Sequence, residues 1–434
     1  MKTRTHKTPS INVITLGCSK NLVDSEVLMG QLRAGDFQVS HEKSGTSDIV
    51  IINTCGFIDN AKQESIDTIL RYADAKQNGA IEKLYVTGCL SQRYRDELIS
   101  EIPEVDAWFG TLEMPNLLRT VGADYRHDLL GDRLQVTPRH YAYIKISEGC
   151  DRPCSFCAIP LMRGGHVSKP IEQIVAEISN RVKHGTSEFM LIAQDSTYYG
   201  LDLYGTRKLA ELMERVSDIP GVEWIRLHYA FPGQFPMDVL PVMASRQNIC
   251  KYLDIPVQHH SDRMLKLMRR GITTRRSEEL LVQIREMVPG ISLRTTLLVG
   301  HPGETEDDLH QLLQFVQRFR FNRLGVFTYS HEENTHAHSL EDDVPQDVKE
   351  RAAAIMEAQR EISEALNQEM LGKEYKVMFD RMDGGYFVGR TEFDSPEVDN
   401  EVLVPVEGNY VRVGDFAQVR ITDVTPYDLY GTLA

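Results

Sequence analysis

No stretch of this chain approaches the roughly 18 apolar residues that a membrane-crossing helix needs. The opening residues Met1 to Pro9 are basic and polar with no apolar run behind them, which reads as cytoplasmic. Basic residues are in deficit, 48 Lys and Arg against 63 Asp and Glu, for a net charge of −15. Gripping a nucleic-acid backbone relies on Lys and Arg, so the balance disfavours a broad phosphate-binding surface and favours a basic partner. Cysteine is sparse, 7 in 434 residues, which argues against a disulfide framework and for a reducing, cytoplasmic setting. Also missing, around the one dense group of cysteines, is a second CxxC-type pair or a His that would close a four-ligand zinc site.

That dense group is Cys150-Asp-Arg-Pro-Cys154-Ser-Phe-Cys157, three thiols within eight residues. Alternating Ala142, Ile144 and Ile146 read as a strand, and Gly149 supplies a turn before the first thiol. Iron-sulfur clusters are held by cysteine thiolates, and electron carriers use four of them. A cubane held by three keeps one iron open to a substrate.

From Ser10 to about Thr120 short apolar runs alternate with helical text, the pattern of a parallel α/β domain. The runs are Ile11–Thr15, Ile49–Ile52 and Leu84–Thr87, and a cysteine follows each one at Cys18, Cys55 and Cys89. Parallel strands place their C-terminal loops along one crevice, so these three thiols converge. A single buried cysteine is an ordinary small hydrophobe, but three at equivalent strand ends are a ligand set. Ile66, Ile69, Leu70 and Ala73 mark a helix between the second and third strands, with Asp59 as its N-cap.

From Pro138 to Leu366 six strand-like runs begin at Tyr141, Glu188, Glu223, Lys251, Ser292 and Arg323. Six strand-helix units predict a partial (β/α) barrel with its chemistry at the C-terminal strand ends. Polar text lies there: Gln194-Asp195-Ser196, Arg226 with His228, Gln258-His259-His260 and Gly300-His301-Pro302-Gly303-Glu304. Arg294 lies earlier in the fifth strand. His259 and His260 fit a solvated loop as well as a pocket, and Thr305 is placed to cap the next helix. His336 and His338 read as a solvated loop and Cys250 as core. A helix from Val348 to Leu366 follows, apolar on one face except at Gln359. The remainder reads as five short strands in a small β-barrel. From Glu369 onward it carries 13 acidic against 6 basic residues, a surface that would steer a basic protein toward it and repel phosphates.

The CxxxCxxC string with Phe156 before its third cysteine, and the frame through Pro160 and Gly164, resembles the radical S-adenosylmethionine (SAM) signature of the methylthiotransferase family. Leu16-Gly-Cys18-Ser-Lys20-Asn21, with Asp24-Ser25-Glu26, resembles that family's opening motif. Together with Gln194-Asp195-Ser-Thr-Tyr-Tyr199 and Pro256-Val-Gln-His259, it is closer to the protein-modifying branch than to tRNA-modifying relatives. The resemblance implies a methylthiotransferase N-terminal domain over 10–120, a radical SAM core over 136–366 and a TRAM domain over 368–434. It also implies two 4Fe-4S clusters, one on Cys150, Cys154 and Cys157 that chelates SAM and an auxiliary one on Cys18, Cys55 and Cys89. Phe156 would contact the SAM adenine, with Gln194, Arg294 and Gly300 among the other cofactor contacts.

The implied reaction adds a methylthio group to the β-carbon of an aspartate in small-subunit ribosomal protein S-twelve, with a low-potential electron donor and a sulfur source as further partners. A C–H bond beside a carboxylate offers no proton that a normal base could take, so the cofactor carries that step. One alternative is a tRNA methylthiotransferase acting on a modified adenosine, against which the acidic last domain argues by disfavouring direct tRNA binding. The other is a non-enzymatic iron-sulfur sensor or scaffold, against which the three-thiol ligand count argues.

Overall fold

The structure is a computed structural model that describes residues 9–45, 47–126, 129, 133–341 and 343–434; the basic opening residues 1–8 lie outside them. The chain divides into two compact units. The first comprises Met1–Thr137, Tyr143–Asp151 and Ala158–Asn180, and the second Pro138–Ala142, Arg152–Cys157 and Arg181–Ala434.

The first unit opens with β1 (Ser10–Thr15), α1 (Ser19–Ala34), β2 (Gln38–His41), β3 (Ile49–Thr54), α2 (Asp59–Gln77), β4 (Lys83–Gly88), α3 (Cys89–Glu101), β5 (Ala107–Trp108) and α4 (Met114–Val121). Its sheet has the order β2-β1-β3-β4-β5, with parallel pairing throughout. Every residue of β3 is buried, as a strand covered on both faces requires. Helices α1 and α4 cover one face through Leu28, Met29, Leu32, Leu117 and Leu118. The other face packs Ile69 and Ala73 of α2 and Leu90 of α3 against Val50, Ile52 and Val86.

Two strands beyond the three predicted complete this sheet. Strand β2 is short and nowhere fully buried, and β5 has two residues, so neither carries an apolar run. Asp59 is not the N-cap of α2. Ile58 holds that position without a side-chain hydrogen bond, while Asp59, the first helical residue, pairs with Lys62 at 2.8 Å.

The chain continues with β6 (Tyr141–Lys145), β7 (Ser147–Glu148), α5 (Ile159–Arg163), β8 (Val167–Ser168) and α6 (Ile171–Lys183). The second unit then runs through β9 (Glu188–Ile192), α7 (Leu201–Tyr204), α8 (Leu209–Ser217), β10 (Trp224–Leu227), α9 (Val239–Ser245), β11 (Ile249–Asp254), α10 (Asp262–Leu267), α11 (Thr274–Met287), β12 (Ser292–Val299), α12 (Glu306–Phe319), β13 (Arg323–Thr328) and α13 (Val348–Gln368). Its sheet has the order β13-β12-β11-β10-β9 and continues at β6, whose residues 141 and 142 belong to this unit. Strands β9 to β13 are parallel, the open barrel arrangement that the alternating runs predict.

Thr305 caps α12 in a full capping box with Asp308. Gln359, the polar break in the apolar face of α13, is buried and donates to the Phe321 carbonyl at 2.9 Å. Cys250 is buried against Trp224, Tyr252 and Met378.

The C-terminal strands β14 (Glu374–Asp383), β15 (Tyr386–Arg390), β16 (Glu401–Pro405), β17 (Phe416–Val424) and β18 (Asp428–Leu433) close into a barrel of order β14-β15-β16-β18-β17. Val377, Phe379, Phe387, Val402, Val404, Val419, Ile421 and Leu429 fill it. Buried ion pairs join it to the parallel sheet of the same unit. Glu188, at the start of β9, lies between Arg226 at 3.1 Å and Arg390 at 2.5 Å, and Arg294 reaches Asp254 at 3.2 Å and Asp399 at 3.3 Å.

Candidate active site

The sheet order β2-β1-β3-β4-β5 reverses direction between β1 and β3, and open α/β sheets bind ligands at such a switch point, outside the strands' C-terminal ends. Thr15, Asn53 and Thr87 lie in register across β1, β3 and β4. Cys18, Cys55 and Cys89 follow them by three, two and two residues, so their loops leave the sheet side by side. Each thiol also stands at or near a helix start. Cys18 is the N-cap of α1, Cys89 is the first residue of α3, and the Cys55 N–H donates to Ser65 Oγ of α2 at 3.1 Å. Helix N-termini favour negative charge, which thiolate ligands carry.

Close packing fixes this end of the sheet. Gly17 has φ +92, and a Cβ there would lie 2.7 Å from Cys55 Cβ and 2.8 Å from its Sγ. Gly88 has φ +100, and a Cβ would meet the Thr54 carbonyl oxygen at 2.5 Å. The buried Asn21 side chain donates to the carbonyls of Leu16 at 2.7 Å and Thr54 at 3.0 Å, tying the first thiol loop to the second. Its Oδ1 is 3.9 Å from Cys89 Sγ.

Cys18 is exposed, while Cys55 and Cys89 are buried. Burial pushes the Cys55 thiol up to about 11, and the charges of Cys18 and Cys89 push the same way. Burial also raises Cys89, while nearby Arg163 opposes it. Among the described residues no three His, Cys, Asp or Glu side chains are gathered around a single metal-ion position, so the three thiols share one end of the sheet without closing on one ion. An all-thiol set without carboxylate or imidazole, buried at two of its three positions, suits iron-sulfur ligation.

The first part of the second cysteine loop belongs to the same unit. Gly149 has φ +74, and a Cβ there would strike the Gly165 carbonyl oxygen at 2.0 Å, while the Cys150 N–H donates to the Gly164 carbonyl at 3.1 Å. Met162 and Ile159 of α5, with Ala158, pack on Cys89. Arg163, at the end of α5, is 3% exposed. It lies 2.6 Å from Asp24 and 3.1 Å from Glu148 and donates to Asn21 Oδ1. Lys145 completes the group, 2.5 Å from Glu148 and paired with Asp24. Arg163 carries no role in the sequence reading, although it stands inside the frame through Pro160 and Gly164. Its signal, a charged residue in an apolar turn beside the cysteines, is visible only with the fold. Glu26 of the opening motif pairs with buried Arg133 at 2.9 Å.

The second unit contributes Cys154, Phe156 and Cys157. The Ser155 backbone donates to the Met268 carbonyl at 3.0 Å and accepts from the Ala337 N–H at 2.7 Å. Ser155 Oγ is 2.9 Å from His301 Nε2, while His301 Nδ1 lies 2.9 Å from the Pro302 carbonyl. A carbonyl only accepts, so Nδ1 carries the proton and Nε2 accepts from the serine. Burial lowers the His301 pKa, which keeps that neutral tautomer. Arg270 Nη1 is 3.3 Å from Cys154 Sγ. Arg152 bonds Asp195 at 2.7 Å, and the two guanidiniums lie 4.1 and 4.2 Å from the Phe231 ring centroid.

Phe156 packs with Met264, Met268 and Tyr329, and its ring lies edge-on to His301 at 6.4 Å. Gln194 is half-buried just beyond β9. Gly300 follows β12 with φ +76, and a Cβ there would come 2.3 Å from Val348 Cγ2. Its N–H donates to Glu304 at 2.7 Å. Arg294 is the third residue of β12, far from that strand end, and its charge is used by Asp254 and Asp399. Arg226 and His228 contact the C-terminal barrel through the Glu392 carbonyl at 2.5 Å and Ser395 Oγ at 3.1 Å. His259 is buried on Glu304 at 3.0 Å, and His260 stacks on Phe315 with ring centroids 3.7 Å apart, so neither lies in a solvated loop. His336 and His338 are exposed.

Comparison with known proteins matches this arrangement. A profile described as Radical SAM superfamily covers residues 144–316. The fold resembles a radical S-adenosylmethionine methyltransferase, TsrM, from Kitasatospora setae, with TM-score 0.53 and 14% identity over 74% of this chain and 75% of that one. Fold and cysteine loop together are those of the radical SAM class, which implies a 4Fe-4S cluster and SAM. Profiles for Uncharacterized protein family UPF0004 and for the TRAM domain match residues 10–110 and 371–433. The chain is 59% identical to the ribosomal protein uS12 methylthiotransferase RimO of Cytophaga hutchinsonii over all of both chains. It is 54% identical to that of Porphyromonas gingivalis over 98% of both. The chain belongs to the RimO family of radical SAM methylthiotransferases.

Proposed function

We propose that this enzyme adds a methylthio group to the β-carbon of an aspartate in ribosomal protein uS12, using two 4Fe-4S clusters. Its relatives, similar over their full length, are named for that substrate. The observation that carries the second cluster is the row of three thiol loops at the switch point of the N-terminal sheet. The N-terminal sheet, the radical SAM core and the C-terminal barrel then act as three domains near the predicted bounds, in the cytoplasm, with a low-potential electron donor and a sulfur source as partners.

With cofactors bound, the two clusters and SAM would supply the radical chemistry and a site to hold the incoming sulfur. The residues of the chain position and polarise. Cys150, Cys154 and Cys157 would hold the SAM-binding cluster, and Arg270 sets a positive charge against the Cys154 sulfur, which favours electron uptake there. Ser155, fixed by neutral His301, by the Met268 carbonyl and by the Ala337 N–H, holds the loop between the second and third ligands. Phe156 offers an apolar ring to the adenine. Cys18, Cys55 and Cys89 would hold the auxiliary cluster, and exposed Cys18 marks its solvent side, where sulfur and a peptide could enter.

The test is anaerobic incubation of the reconstituted enzyme with SAM, sulfide and reductant, with uS12 and bulk tRNA in separate tubes, followed by mass spectrometry. A methylthio mass on an aspartate peptide is the expected result, and one on tRNA would overturn the substrate. Cys154→Ala should abolish SAM cleavage. Cys55→Ala should spare SAM cleavage and lose methylthio transfer, and normal product from Cys55→Ala would remove the auxiliary cluster from the mechanism.

A further inference from the structure

An open groove of about 1050 Å³ lies beside the Cys154 loop in the second unit. Pro153, the residue before Cys154, lines it, and Phe235, Leu265 and Ile272 add apolar surface. Three cations, Lys266, Arg269 and Arg276, also line it. All three are exposed, and among the described residues none has an ion-pair partner. Two acids also line the groove; one is paired with a cation and the other keeps its charge, which leaves the cations in excess. Asp262 accepts from the Thr274 N–H at 2.7 Å, and Glu279 pairs with Arg275 at 2.7 Å.

The groove's wall is connected to the cluster ligands. Arg269 has φ +54 and is exposed, whereas the next residue, Arg270, is 4% exposed and touches Cys154 Sγ. A partner seated on Lys266, Arg269 and Arg276 is therefore one residue in sequence from a ligand contact on one wall and one residue from a ligand at Pro153.

We propose that this groove docks an acidic, low-potential one-electron carrier protein, a proposal that rests on the radical SAM reading. One electron leaves the carrier's reduced centre, which is oxidised by one equivalent, and the cluster on Cys150, Cys154 and Cys157 is reduced by one equivalent. No bond forms or breaks at the groove. Transient electron-transfer interfaces are small, and unpaired cations on a chain of net charge −15 mark the groove for a partner of opposite sign. The same cations repel a basic ribosomal protein. RNA would use exposed aromatic stacking platforms, and the groove's one aromatic, Phe235, is 7% exposed.

The test uses the full-length reconstituted enzyme and the double variant Lys266→Glu/Arg276→Glu, with an acidic flavodoxin and an RNA hairpin as probes. Affinity is read by fluorescence anisotropy at low and high salt. Cluster reduction by flavodoxin hydroquinone is followed by absorbance, and SAM cleavage driven by dithionite serves as the bypass. Flavodoxin binding and cluster reduction should each weaken about tenfold or more in the variant, with dithionite-driven cleavage unchanged. Lys266→Gln/Arg276→Gln should give a smaller loss in the same direction and stands in if the charge reversal misfolds. Unchanged flavodoxin affinity, or a loss confined to the RNA hairpin, would overturn the docking surface alone. A wild-type enzyme that cleaves no SAM with dithionite would overturn the radical SAM reading and the proposal with it.

Discussion

Arg163→Gln should loosen the auxiliary site without touching a cysteine. The guanidinium is 3% exposed and serves Asp24, Glu148 and Asn21 together. Glutamine cannot carry the charge, so the two carboxylates lose one of the cations they share and keep Lys145. Removing one partner of a fully buried ion pair costs about 3–5 kcal/mol. Here Asp24 and Glu148 keep 21% and 19% of their side-chain surface in water, which lets solvent take up part of that loss and reduces it to about 2–3 kcal/mol. The cost falls on local opening of α5 and the start of α1, because Arg163 closes α5 and Asn21 bridges the first two thiol loops.

At about 1.4 kcal/mol per factor of ten, amides in these segments should exchange hydrogen roughly 30- to 140-fold faster. Hydrogen exchange read by mass spectrometry on the apo protein measures this directly. In a background of Cys150→Ala, Cys154→Ala and Cys157→Ala, iron retained per chain after gel filtration should fall in parallel. Arg163→Lys, which keeps the charge but not the fork to Asn21, should be intermediate. Unchanged exchange around Asn21 together with full iron retention in Arg163→Gln would refute the reasoning.

Three further outcomes follow from the buried charges. Glu188→Gln leaves Arg390 paired with Asp380 and takes away the carboxylate that pairs with buried Arg226, and should cost about 3–5 kcal/mol, read as an earlier loss of tryptophan fluorescence in urea; an unchanged midpoint contradicts it. Asp308 is held well below the usual carboxylate range against its own burial, chiefly by Arg263, Ser261 and Thr305, so its stabilisation is present above the unfolded carboxylate pKa and lost as pH falls through the lower folded one. Asp308→Asn should therefore destabilise by about 1–2 kcal/mol at neutral pH, with the gap closing in acid, and a gap independent of pH would be inconsistent with that origin. Burial pushes Cys250 up to about 12, so iodoacetamide should leave it unlabelled in the native protein at mildly alkaline pH and label it only on unfolding.

Local patterns were legible in the sequence wherever the physics is local. Apolar runs ending in Cys18, Cys55 and Cys89 announced strand ends, and Thr305 announced its helix because a capping box lies within four residues. The order in which parallel strands sit was not legible, since each neighbour arrives after a long crossover. The switch point between β1 and β3, which is what makes the thiol row a site, therefore had no sequence signal. The same holds for Arg163, whose partners Asn21 and Asp24 are 142 and 139 residues away. His259 and His260 looked equally suited to a loop because their partners, Glu304 and Phe315, lie on another element.

Charge shows most clearly what counting residues leaves out. The last domain's excess of acids suggested a field that steers a basic substrate, yet many of those acids are committed within the second unit. Asp380 serves Arg390 and His140, Asp394 serves Arg323, and Asp399 serves Arg294. Glu374 and Glu401 pair with Arg420 and Arg381 inside the barrel itself. A carboxylate neutralised at contact distance contributes little to a potential felt beyond a Debye length of about 8 Å. Long-range attraction from this domain then falls to exposed acids such as Glu407, Asp415 and Asp423, a weaker source than the net count. Conversely, Lys266, Arg269 and Arg276 present unpaired positive charge on a strongly acidic chain. What partners meet is the residue of charge left after internal pairing, and on this protein that residue has opposite signs on two different surfaces.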